Sequence, residues 1–165
     1  YFKSISEHST RKLVETYEDN LTNFNLLYKV IQPQLVKAAY IVGISSQAAL
    51  VSQANAAHYG ASKAGFSAVL NALRLEQPEL KVLNVQPGPI DTPFHKNADP
   101  TLKYLKNYRH MMIQPQQLAK QIVEGIILNK IEINQPSWMQ IMLKFYQLCP
   151  RTLEKLCPNL FKNKV

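Results

Sequence analysis

The chain has 165 residues, 46% of them hydrophobic, with 19 lysines and arginines against 11 aspartates and glutamates for a net charge of +8. That apolar share excludes a disordered chain, and the length is that of one domain. Only two cysteines occur, Cys149 and Cys157, which excludes a disulfide framework and points to a reducing compartment. Four histidines (His8, His58, His95 and His110) are scattered without metal-ligand spacing. No apolar run is long enough to span a membrane, and no basic segment leads into an apolar one as in a signal peptide. A cytoplasmic location is expected. The positive charge is spread out. Lys96, Lys103, Lys106 and Arg109 form a loose group with Tyr104 and Tyr108 between them, and Lys144, Arg151, Lys155, Lys162 and Lys164 decorate the tail. Such spacing reads as solvated faces and not as a nucleic-acid surface.

In chain order, residues 10–36 predict a helix. Leu13, Tyr17, Leu21, Phe24, Tyr28 and Ile31 recur at steps of three and four, the spacing of one buried face, and Pro33 lies near its end. Residues 39–45, AYIVGIS, predict a strand buried on both faces. A second helix is expected from about 58 to 76, with small and apolar residues over much of its circumference. Residues 80–86, LKVLNVQ, predict another buried strand, which the three prolines of PGPIDTP stop. Residues 94–112 are polar, basic and tyrosine-rich and read as a mobile segment. Pro115 suits the first position of a helix to about 129. KIEIN predicts a short third strand. From Ser137 the tail alternates apolar and basic residues at helical spacing, interrupted by Pro150 and Pro158. Helices alternating with strands predict an α/β fold with a parallel sheet. Residues 1–136 form its body and 137–165 an amphipathic basic helical tail.

Tyr59 and Lys63 are four apart, so on a helix they share a face. An ammonium beside a phenol stabilises the phenolate and lowers its pKa, giving a proton donor and acceptor for a carbonyl or alcohol oxygen. Ser46 stands at the carboxyl end of the first strand, where ligands bind in parallel α/β sheets. Its hydroxyl suits holding the same oxygen.

IVGISS ending in Ser46, YGASK with Tyr59 and Lys63, and NVQPGPIDTPF from Asn84 to Phe94 together resemble the short-chain dehydrogenase/reductase family. The resemblance runs from about Thr16 to Phe94. It implies a Rossmann-type doubly wound parallel sheet, of which this chain supplies the carboxyl-terminal part. It implies an NAD- or NADP-dependent oxidoreductase interconverting a carbonyl and an alcohol by hydride transfer. By resemblance, Tyr59 is the acid/base, Lys63 lowers its pKa and binds the nicotinamide ribose, and Ser46 orients the substrate, with Ser45 one residue off. Asn20 in DNLTNFNLL would hold a water that relays protons from Lys63, with Asn23 the lesser candidate. Pro87, Gly88, Ile90 and Thr92 would lie against the nicotinamide, and residues 93–112 would cover the substrate. The two long helices are those through which the family pairs, so a homodimer or homotetramer is expected.

The family also has a glycine-rich turn after its first strand, where backbone meets pyrophosphate. None of the five glycines (43, 60, 65, 88 and 125) makes such a turn, and the family's Asn-Asn-Ala-Gly box is absent. The chain therefore reads as the later part of a longer protein, and activity is expected of that parent. Two other readings compete: a non-catalytic binding or regulatory relative, and a basic protein associating with membrane or nucleic acid through the tail. Of these contacts, weak peripheral membrane association is retained as an expectation and nucleic acid is not.

Overall fold

A computed structural model of the chain describes residues 2–94, 102, 106 and 108–162. The substrate-covering segment expected at 93–112 lies partly outside the described residues. Of the basic and tyrosine-rich group within it, Lys96, Lys103 and Tyr104 lie outside them.

The first helical stretch is two helices joined by a wide turn. Helix α1, Thr10–Tyr17, starts where the Ser9 side chain accepts from Lys12 N, which supplies a partner for one orphan amide. A π turn, Glu18–Thr22, leads into helix α2, Asn23–Ile31. A 3-10 turn at Gln32–Gln34 follows, so the α-helix ends ahead of Pro33 and not at 36 as the periodicity predicts. Strand β1, Tyr40–Ile44, then enters the sheet. Helix α3 spans Ala57–Glu76, strand β2 Lys81–Pro87, helix α4 Pro115–Ile127 and strand β3 Glu132–Gln135. Helix α4 stops in a Schellman turn with asparagine at the left-handed position. Asn129 takes a left-handed φ of 51°, and the amides of Asn129 and Lys130 bond back to Ile126 O and Gly125 O.

The three strands form one parallel sheet in the order β1, β2, β3. Strand β2 is central, and its alternation feeds two cores. Val82 packs under α3 with Phe66, Leu70, Leu73 and Leu80, beneath Leu21, Phe24 and Tyr28. Leu83 and Val85 point to the other face, against Ile113, Leu118 and Ile133. Close packing sets the small residues. A Cβ at Gly43 would overlap Leu70, and one at Gly65 would come 3.1 Å from Leu21.

Strand β1 departs from its expected burial. Tyr40, Ile41 and Val42 are half-buried and Ile44 is 43% exposed. Its composition suits a central strand, but among the described residues it is paired on one side only, at the sheet edge. The tail also differs in detail from the periodicity. Pro150 and Pro158 begin helices: α5 is Ser137–Leu148, α6 Pro150–Leu156 and α7 Pro158–Lys162. Proline has no amide to lose at a first helical position, so a break and a start are the same residue. No described helix is long and apolar enough to cross a membrane.

Candidate active site

The carboxyl ends of β1 and β2 open into a cleft of about 400 Å³. Strand β1 delivers Ser45 and Ser46 there. Ser45 N donates to Val85 O at 2.7 Å, a bond that continues the β1–β2 ladder beyond the strand. Ser46 then turns the chain. Its backbone is extended, and its Oγ accepts from Ala48 N at 3.1 Å, capping the 3-10 turn Gln47–Leu50. With that acceptor contact made, the hydroxyl hydrogen is available to the cleft, which the Tyr59 phenol also lines. Pro87 O lies at a long 3.5 Å.

Tyr59 stands in the first turn of α3 and Lys63 one turn further on, and both side chains face the cleft. Phe2 and Phe94 wall the phenol in. The Phe2 ring meets it edge-on at 5.9 Å between centroids, and the Phe94 ring lies at 5.8 Å. Burial pushes the Tyr59 phenol above its ordinary value, and the Ser46 hydrogen bond offsets part of that rise. Burial pulls the Lys63 ammonium below its own. Lys63 Nζ donates to Ile44 O at 3.0 Å. Burial is thus the largest influence on both groups, and the Lys63 ammonium stands one helical turn from the phenol in the same cleft.

Asn20 occupies the π turn between α1 and α2 and reaches the same cleft. Widened turns of this kind re-aim side chains and recur at functional sites. Its Nδ2 donates to Thr16 O at 2.8 Å, leaving its carbonyl oxygen as the remaining polar group. Asn23, the lesser candidate, does not line the cleft. Pro87, Gly88, Ile90 and Thr92 form the opposite wall. They are pinned: Gly88 N donates to Gln135 O at 2.6 Å, while Asp91 N and Ile113 N exchange bonds with Ile113 O and Pro89 O. The structure thus brings all eight expected residues, Asn20, Ser46, Tyr59, Lys63, Pro87, Gly88, Ile90 and Thr92, to one space.

Ser45, the alternative to Ser46, is committed elsewhere. Its Oγ donates to Lys63 O at 3.0 Å and accepts from Ser67 Oγ at 2.7 Å, which in turn accepts from Gln86 Nε2 at 3.2 Å. Other contributors have no sequence signal. Gln47 is 2% exposed and its Nε2 holds Pro136 O at 3.1 Å. Phe2, Met139 and Leu143 complete the apolar lining. Two of the scattered histidines also meet: the His8 and His58 rings lie edge to face at 4.9 Å, with Tyr17 Oη 3.3 Å from His58 Nδ1. Among the described residues no group of three or more His, Cys, Asp or Glu is placed to hold a metal. A larger groove of about 800 Å³ runs between the Ala57, Gly60, Ala61 and Ala64 face of α3 and the tail. It contains none of Ser46, Tyr59 or Lys63, so the chemistry belongs to the smaller cleft.

Residues 1–103 match the short chain dehydrogenase family. The chain belongs to this family. Among curated proteins it is similar to 11-beta-hydroxysteroid dehydrogenase-like 2 of Arabidopsis thaliana, 28% identical over 123 residues, which are 73% of this chain and 39% of the relative. It is also similar to 11-beta-hydroxysteroid dehydrogenase-like 3 of the same plant, 30% identical over 69% of this chain and 37% of the relative. The chain therefore spans about two fifths of these relatives. In three dimensions it resembles a short-chain dehydrogenase from Streptomyces avermitilis, with TM-score 0.75, 19% identity, and 96% of this chain and 65% of that one covered. A short chain dehydrogenase from Burkholderia cenocepacia J2315, solved in complex with NADP, aligns with TM-score 0.76 at 20% identity over 93% and 62%. The three-stranded parallel sheet with its helices is thus part of a Rossmann-type short chain dehydrogenase fold, and the family is one of nicotinamide-dependent oxidoreductases.

Proposed function

We propose that the protein containing this chain interconverts a carbonyl and an alcohol, with Tyr59 passing the proton and NAD or NADP as the hydride partner. The observation that carries this reading is the convergence of Ser46, Tyr59 and Lys63 on one cleft at the carboxyl end of the sheet, with Tyr59 and Lys63 one turn apart on the same helix.

The residues present fit the nicotinamide end of such a cofactor. Lys63, Pro87, Gly88, Ile90 and Thr92 border one space, and a Cβ at Gly88 would come within 3.1 Å of Gln47 Oε1 and Pro136 Cδ. Only a residue without a side chain keeps that wall flat. The pyrophosphate end finds no such match, since none of the chain's five glycines has a positive φ or forms a phosphate turn. When bound, the cofactor supplies or accepts the hydride. The protein's own part is orientation and proton supply.

In reduction, Ser46 donates to the carbonyl oxygen and fixes its position. Tyr59, kept neutral by burial, gives that oxygen its proton from Oη. The phenolate left behind is stabilised by Ser46 donation and by the Lys63 ammonium one helical turn away. Asn20 presents its free carbonyl oxygen to a water that returns the proton through Lys63. In oxidation the same groups run in reverse. The apolar walls, Phe2, Ile90, Phe94, Met139 and Leu143, favour a largely apolar carbonyl compound. The names of the plant relatives make hydroxysteroids and their ketones the first compounds to screen. Subunit pairing through the α1–α2 stretch and α3 belongs to the same reading, supported by the exposed Leu26, Leu27 and Val30 of α2.

The test uses the full-length protein. Carbonyl compounds are screened with NADH and NADPH by nicotinamide absorbance, and then Tyr59→Phe is measured on the best substrate. Turnover should fall by about 10²–10⁴-fold with cofactor binding and circular dichroism intact. Undiminished turnover by the phenylalanine variant would overturn the reading.

A further inference from the structure

Helix α5 is apolar on two sides, and only one of them is used. Met139 and Leu143 face the cleft, and Tyr146 is buried, its ring stacked on Phe161 at 5.2 Å between centroids. These contacts fix the helix. The opposite side presents Trp138 (48% exposed), Ile141 (69%), Met142 (58%), Phe145 (60%) and Leu148 (80%). At 100° per residue these five fall within one continuous strip of roughly 120°. Large apolar side chains gathered into one exposed patch mark an interaction surface, whereas scattered ones do not.

We infer that this face of α5 seats the protein on the surface of an anionic lipid bilayer. Charge selects this occupant. Between residues 137 and 162 the bases are Lys144, Arg151, Lys155 and Lys162, and the lone acid is Glu154. The Glu154 carboxylate is already taken by Arg151 at 2.9 Å and by Tyr146 Oη at 2.7 Å. Of these bases Lys144 stands on α5 itself, next to Phe145, and the segment keeps an excess of cations over acid. A second copy of this chain docked through the same face would bring like charges against one another. An acidic lipid surface supplies their complement. The apolar strip carries a tryptophan and a phenylalanine, side chains that suit the headgroup boundary. Helix α5 has 12 residues, about 18 Å at 1.5 Å per residue, too short to span a bilayer, so it lies in the interface plane. This orientation holds the substrate cleft, lined by the other side of the same helix, close to the lipid. The proposal does not depend on the oxidoreductase reading, and either can fail alone.

The experiment is co-sedimentation of the full-length protein with phosphatidylcholine vesicles, with and without phosphatidylglycerol, over a range of salt. The emission of Trp138, identified by difference against Trp138→Phe, is recorded in parallel. Sedimentation with the anionic vesicles alone, weakening as salt rises, is expected, together with a blue shift of the Trp138 emission. Phe145→Glu should reduce the bound fraction at least tenfold, and Lys144→Glu should reduce it less. Both side chains are exposed, so circular dichroism should not change. Failure to sediment with anionic vesicles would overturn the proposal, as would equal binding by Phe145→Glu. It is overturned too if, without lipid, the wild type migrates as an oligomer that Phe145→Glu dissociates, since the face would then belong to a second copy.

Discussion

The cleft around Ser46, Tyr59 and Lys63 and the polar seam directly behind it are built from the same residue types to opposite ends. In the seam, Gln86 Nε2 donates to Ser67 Oγ, Ser67 to Ser45 Oγ, and Ser45 to the Lys63 carbonyl. Each hydroxyl accepts once and donates once, and the chain closes on helix α3. In the cleft, Ser46 accepts from Ala48 N and has only a long 3.5 Å contact to Pro87 O for its hydrogen, beside a phenol whose burial disfavours ionisation, and Lys63 holds a charge that burial also disfavours. Serines adjacent in sequence thus fall on two sides of a boundary. Polar groups that satisfy one another bind the fold together. Polar groups shielded from solvent beside an open cleft are held ready for a ligand.

The sharpest way to break this contrast is Lys63→Met in the full-length protein. Turnover should fall by about 10³-fold. Stability should move the other way with pH. The folded ammonium sits below its ordinary 10.5, so between the folded value and 10.5 the unfolded chain binds more protons. Wild-type stability therefore rises with pH across that window, and the methionine variant lacks the rise. Tyr59 has the reverse sign: held above 10.0, it makes the folded chain retain a proton that the unfolded one loses, and stability falls as pH climbs past 10.0. Urea titrations of both proteins from neutral to alkaline pH measure the difference. Parallel pH profiles would show that Lys63 behaves as a solvated side chain.

The two serines test the boundary directly. Ser46→Ala should lower kcat/KM by about 10²-fold, with about 1 kcal/mol of stability lost along with its cap on Ala48 N. Ser45→Ala should cost about 1 kcal/mol in stability, because Ser67 loses its acceptor and Lys63 O its donor, with kcat/KM nearly unchanged. If the two effects on kcat/KM were exchanged, the assignment of roles across the strand end would be reversed.

Much of this was legible in the residues. The four-residue spacing of Tyr59 and Lys63 and the strand-end position of Ser46 are local facts, and local facts survive folding. Pro87 to Thr92 announce themselves by proline and glycine. What could not be read depends on elements distant in sequence. Phe2 reaches Tyr59 from the other end of the chain, and Gln47 is buried because Pro136 O, 89 residues on, accepts from it. The edge position of β1 is likewise a matter of neighbours. Its apolar run is that of a central strand, and composition does not say which side lacks a partner. The π turn at Glu18–Thr22 leaves the apolar periodicity of residues 10–31 almost undisturbed, so a continuous helix is the natural reading until Asn20 is seen turned into the cleft.

The smallest expected effect comes from the link between the first helical stretch and β1. The turn before the strand closes with Ala39 N on Val36 O at 3.1 Å and Ala38 N on Glu79 O at 2.8 Å. To make it, Ala38 takes a φ of 61°, in the left-handed region. An L-residue there carries about 1–2 kcal/mol of strain that glycine avoids. Glycine gives back part of that gain through the greater freedom of its unfolded chain. Ala38→Gly should therefore raise the unfolding free energy by about 0.5 kcal/mol, read as a higher urea midpoint at unchanged slope, with kcat/KM untouched. The site lies at the amino end of β1, a full strand away from Ser46, so any loss of turnover would mean that the strand end and the cleft move together. A lower midpoint would mean that the turn is not strained, and that the Ala38 methyl contributes packing the glycine cannot replace.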